Sequence, residues 1–114
     1  MKMEVEKVIR DGMVAVLYSP GFGAGWSTWQ HEDELKEFVT FDRRLVEAAE
    51  RGASHDEVEV MLEELFFGSD LYISTSGWSD IEVAWLPVGT RFEITEYDGS
   101  EGIRVFDESE YFVA

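Results

Sequence analysis

Two Asp-Gly dipeptides, Asp11-Gly12 and Asp98-Gly99, lie between β-prone runs and commit this chain to an antiparallel hairpin near each end. On the N-terminal side, Met3 to Arg10 and Met13 to Tyr18 read as strands. The second of these, Met-Val-Ala-Val-Leu-Tyr, is apolar on both faces, which predicts a central strand covered from both sides. On the C-terminal side, Ile81, Val83 and Trp85 alternate with Glu82 and Ala84, and Phe92 and Ile94 alternate with Glu93 and Thr95. The chain then turns at 97–100 and returns over Ile103 to Asp107, with Leu71 to Ser74 and Tyr111 to Val113 as short additional strands.

Between the hairpins the apolar period lengthens to that of a helix. Thr40 or Asp42 can cap a helix running to about Arg51, with Phe41, Leu45, Ala48 and Ala49 on one face and Gly52 as its stop. Ser54-His55-Asp56-Glu57 is a capping box that starts a second helix, whose stripe is Val58, Met61, Leu62 and Leu65. His31 to Thr40 carries Leu35, Phe38 and Val39 at helical spacing and predicts a further short helix. The expected fold class is α+β, a mostly antiparallel sheet with a helical pair packed on one face, in a single domain spanning 1–114.

The formal net charge is −16 on 114 residues, and 45% of the residues are hydrophobic, so the chain has apolar material for a core under a strongly acidic surface. Such a field repels nucleic acid and anionic membranes and attracts basic surfaces. There is no cysteine, which removes disulfides, thiol nucleophiles and thiolate metal sites. Residues 12–30 carry no charge, but Pro20 and three glycines interrupt the window, so it does not predict a membrane span. With no secretory pattern at the N-terminus, the expected setting is cytoplasmic.

That uncharged window contains the most unusual local chemistry. Ser19-Pro20-Gly21-Phe22-Gly23-Ala24-Gly25-Trp26-Ser27-Thr28-Trp29 is a loop by its proline and glycines, yet it holds three large aromatics. It matches neither the dinucleotide fingerprint, since Trp26 stands where the last glycine belongs, nor the P-loop, which needs a lysine. Glycine backbone beside aromatic faces does suit close approach and stacking, so Phe22, Gly23, Gly25, Trp26 and Trp29 are candidate ligand contacts. Gly-Trp-Ser recurs at 77–79, which adds Trp78 as the second half of an aromatic clamp if the fold brings the two together. Arg43 and Arg44 open a helix, where a cation opposes the macrodipole. They call for an anionic partner, either Glu32-Asp33-Glu34, Asp42 or Glu47 nearby, or a ligand phosphate.

Recognisable catalytic sets are missing. The two histidines, His31 and His55, form no zinc pattern, no Gly-x-Ser-x-Gly elbow occurs, and no calcium loop fits. The acidic stretches Glu32-Asp33-Glu34 and Asp56-Glu57 with Glu59, Glu63 and Glu64, together with those from Glu93 to Glu110, offer a different chemistry. Spaced carboxylates on a rigid domain imitate the charge row of a nucleic-acid backbone and can occupy a protein's nucleic-acid-binding surface.

The segments Leu17 to Trp29 and Trp85 to Ile94, followed by Glu96-Tyr97-Asp98-Gly99-Ser100-Glu101, resemble a family of small, uncharacterised accessory proteins of tailed phages. The likeness covers the loop and the C-terminal hairpin, with the helices between them looser. It implies a phage accessory role in an infected or prophage-bearing cell, with interference in host defence as the natural task, and it assigns no residue a role. The resulting expectation is a non-enzymatic acidic inhibitor without a cofactor. Its partner would be a host protein with a basic surface, met through Glu32, Asp33, Glu34, Asp56, Glu57, Glu63 and Glu64. The alternatives are sequestration of a small nucleotide-type ligand by the Gly/Trp loop with Arg43 and Arg44 on its phosphates, or a small enzyme acting on such a ligand.

Overall fold

Strand β2 (Met13–Tyr18) divides the core in two, because both of its faces are apolar and both are covered. The computed structural model describes residues 5–21, 25–69, 73–105 and 112–113. β2 pairs antiparallel with β1 (Ile9–Arg10) on one side and along all six of its residues with β3 (Glu82–Pro87) on the other. The β1–β2 turn has Asp11 and Gly12 at φ 51° and 75°, the doubly left-handed geometry whose twist matches antiparallel strands. Ala15 and Leu17 face a cluster with Trp26, Phe38, Leu45 and Val58, while Val14 and Val16 face a smaller one with Phe41 and Phe92.

β4 (Arg91–Tyr97), β5 (Ser100–Val105) and β6 (Phe112–Val113) form a second antiparallel sheet in the order β5-β4-β6. Its hairpin turns at Asp98 and Gly99, again both at positive φ. The fold is α+β as expected, but the strands are divided between two three-stranded sheets. The chain turns sharply after β3, with Gly89 at φ 90° and the Val88 N–H donating to the Gly12 carbonyl, so β4 departs from the first sheet instead of extending it.

Helices α1 (Asp33–Phe41), α2 (Arg43–Glu50) and α3 (His55–Leu65) contribute to the larger cluster, so three helices rather than a pair cover the first sheet's face. α1 and α2 are separated by Asp42, whose extended backbone ends one helix while its carboxylate accepts from the Arg44 N–H and caps the next. The break sends Phe41 away from the α2 stripe and edge-on against Phe92, 6.0 Å between ring centres. Ser54 caps α3 as the sequence predicts, accepting from the Glu57 N–H. In α3, Val58 and Leu62 are buried but Leu65 faces solvent; Phe66, just past the helix end, turns inward against Phe38.

Among the described residues of the N-terminal run, regular strand is confined to β1. Lys7 bridges to Asp42 and the Glu6 carbonyl accepts from the Arg43 N–H, so this run stitches the first hairpin to the start of α2; Met3 lies outside the described residues. Ile73 and Ser74 form no strand, and Leu71, Tyr72, Asp107 and Tyr111 lie outside the described residues. Because Asp42 both caps α2 and holds the Arg44 guanidinium, Asp42→Ala is expected to lower stability by about 1–2 kcal/mol in urea denaturation, with Asp42→Asn intermediate.

Candidate functional site

The Gly/Trp loop is organised by a residue far from it in sequence. Glu101, in β5, is 3% exposed, and its carboxylate accepts four hydrogen bonds from the loop. The Ser19 N–H reaches one oxygen at 2.9 Å, and the Trp26 N–H, Thr28 N–H and Thr28 hydroxyl reach the other at 2.6, 3.0 and 2.6 Å. The Glu101 N–H donates to the Ser19 carbonyl at 2.8 Å, and the Ser100 hydroxyl to the Pro20 carbonyl at 2.6 Å. A buried carboxylate is costly unless donors surround it, and here main-chain and hydroxyl donors supply that role. On the opposite side, the Gln30 amide donates to the Trp26 and Ser74 carbonyls and accepts from the Ser74 N–H.

The two Gly-Trp-Ser tripeptides do meet, but inside the protein. Trp26 and Trp78 lie with ring centres 5.5 Å apart, tilted by 56°, and both are buried. Their indole N–H groups donate to the Val39 and Ala53 carbonyls at 2.7 and 2.9 Å. A Cβ on Gly77 would stand 2.4 Å from the Gly25 carbonyl oxygen, so this contact of backbone on backbone needs glycine. The expected aromatic clamp is therefore a core brace: both rings are enclosed and both polar tips are satisfied, leaving no face for a ligand. Trp29 is 39% exposed and lies over Gly25, where an added Cβ would meet its ring at 2.5 Å. Phe22 and Gly23 lie outside the described residues.

Arg43 and Arg44 have protein partners. Arg43 pairs with Glu6 at 2.6 Å and Glu47 at 3.6 Å. Arg44 is held by both oxygens of the buried Asp42 carboxylate and lies over the Phe38 ring. Donating these hydrogen bonds to Asp42 holds the Arg44 pKa above its ordinary value. Arg10 with Glu50, Arg51 with Glu57 and Arg104 with Glu93 repeat the pattern. An open cleft of about 480 Å³ beside the loop is lined by Pro20, Gly21, Ser79, Asp80, Ile81 and Glu82, and its two carboxylates oppose a phosphate there.

The acidic candidates divide by position. Glu32 and Asp33 are exposed and Glu34 half-buried at the start of α1, and Asp56 and Glu57 open α3, where carboxylates favour the helix dipole. Glu57 is further engaged by Arg51. Glu63 and Glu64 lie at the opposite end of α3, where the dipole opposes them, and both are exposed. Among the described residues no group of three or more acidic or histidine side chains is arranged to hold a metal ion, and no helix is long and apolar enough to cross a membrane. No protein-family model, curated protein or solved structure matches this chain.

Glu101→Gln would turn an amide donor toward donors it now accepts from, at an expected cost of about 2–4 kcal/mol. Urea denaturation measures that loss, and a red shift of buried tryptophan emission would report the loosened loop. Tyr18 gives a pH test. Burial first, and the neighbouring Glu82 carboxylate second, raise its pKa above the usual phenol value. A raised folded-state value means its stabilising contribution is complete below the ordinary tyrosine range and is lost as pH rises through the raised value. Tyrosinate absorbance should show a late-titrating phenol that Tyr18→Phe removes.

Proposed function

We propose that this protein is a non-enzymatic binding protein whose acidic helical surface occupies a basic, nucleic-acid-binding surface of another protein. The observation that carries this reading is α3. Its eleven residues include five exposed carboxylates, Asp56, Glu57, Glu59, Glu63 and Glu64, and no lysine or arginine. They span about 12 Å of a rigid helix. Arg10, Arg43 and Arg44 are each engaged by a carboxylate outside α3, and Arg51 pairs with Glu57 in its first turn, so among the described residues Asp56, Glu59, Glu63 and Glu64 are left without an arginine. A basic partner would release its own counterions on meeting such a row, as it does on meeting phosphates, and binding would weaken steeply with salt.

A role on a host protein in an infected or prophage-bearing cell, countering defence, follows the resemblance to tailed-phage accessory proteins. The geometry lends no comparable support to a nucleotide-type ligand or to turnover of one, since Trp26, Trp78, Arg43 and Arg44 are all engaged within the fold.

Immobilised protein should retain from host lysate a nucleic-acid-binding protein that elutes with high salt and with added duplex DNA. Glu63→Gln with Glu64→Gln should weaken its retention several-fold without altering the circular dichroism spectrum. Absence of any salt-labile partner, or a partner that duplex DNA leaves in place, would overturn the reading.

A further inference from the structure

α3 does not stand alone on this face. It forms one wall of a groove of about 440 Å³ whose other wall is Ile73 and Thr75. The size lies within the range of ligand pockets, about 300–1,000 Å³. The floor is apolar, made by Leu62, Phe66 and Ile73, and the rim carries Glu59 and Glu63. At the groove's end Phe67 is 91% exposed, so a whole aromatic ring stands in water beside an apolar floor.

Both walls are fixed by hydrogen bonds. His55 Nε2 lies 2.9 Å from the Thr75 hydroxyl, which also reaches Glu59 at 3.4 Å. Gln30 clamps the main chain of Ser74 from behind, bonding both its N–H and its carbonyl. The groove is thus built before anything enters it, which lowers the ordering cost of binding.

We propose that this groove seats a short basic and apolar peptide segment of the partner, an aliphatic or aromatic side chain on the floor and a lysine or arginine against Glu59 and Glu63. The inference rests on the acidic-surface reading and names the element of the partner that the surface takes. Charge complementarity selects the occupant. Two carboxylates at the rim repel an acidic segment, and a net charge of −16 opposes a second copy of this chain. The apolar floor gains nothing from a purely hydrophilic polycation, whereas an apolar anchor is dehydrated there while its basic neighbour meets the rim.

Two synthetic peptides of equal length and charge test the assignment, one alternating leucine with arginine and one alternating serine with arginine. Each is titrated into the full-length ¹⁵N-labelled protein. The leucine peptide should bind about tenfold or more tightly than the serine peptide and shift amide signals over 59–67 and 73–75. Glu63→Lys should cut that affinity about tenfold and Phe67→Ala several-fold; both side chains are exposed, so the fold should survive both changes. Equal binding of the two peptides, with shifts spread over the acidic faces and none focused on the groove, would overturn the groove and leave the acidic-surface reading standing. If neither peptide binds even at low salt, both fall.

Discussion

Burying a carboxylate among uncharged groups commits a fold to surrounding it with donors, and Glu101 makes that demand on the least regular part of this protein. Three N–H groups and a hydroxyl of the Gly/Trp loop converge on it, the Trp26 and Thr28 N–H groups from the start of a single 3-10 turn over Ser27–Trp29. Once they are held there, Trp26 is driven inward against Trp78, and Gly25 meets Gly77 without intervening side chains. A loop whose glycines and aromatics suggest an open binding site is thereby an internal joint between the two sheets and the helices.

The helical surface works the other way. Its arginines are spent within the molecule: Arg44 on Asp42, Arg43 on Glu6 and Glu47, Arg10 on Glu50, Arg51 on Glu57. These pairs are mostly exposed and contribute little stability singly. Their larger effect is on where charge remains. Among the described residues, part of the unpaired excess is left on α3 and the start of α1, as a field fixed to rigid elements.

Local rules made much of this architecture legible. Asp-Gly at 11–12 and 98–99 marked both hairpin turns, Ser54 marked one cap and Asp42 was one of two candidates for the other, and the doubly apolar run at 13–18 marked the central strand. Each of these signals lies within a few residues of its consequence. Hidden features depended on distance along the chain: Glu101 reads as one more surface acid in a hairpin full of them, because its donors are some eighty residues away. Trp26 and Trp78 read as ligand contacts for the same reason, since the carbonyls that satisfy them come from α1 and from the turn before α3. The Phe66 and Leu65 exchange was likewise invisible, because it follows from where α3 stops, not from its period.

Strand β2 carries a consequence for the life of the chain before it is folded. Its long partner β3 begins only at Glu82, so the Met13–Tyr18 segment leaves the ribosome long before the strand that pairs with it exists. Through that interval it is a six-residue stretch, apolar on both faces, with main-chain groups open along one edge. The helices synthesised in between can form locally but have only half a sheet to pack against. Slow translation between 18 and 87 therefore lengthens the period in which the nascent chain can associate with its neighbours, and a chain shortened before β3 keeps that edge open permanently.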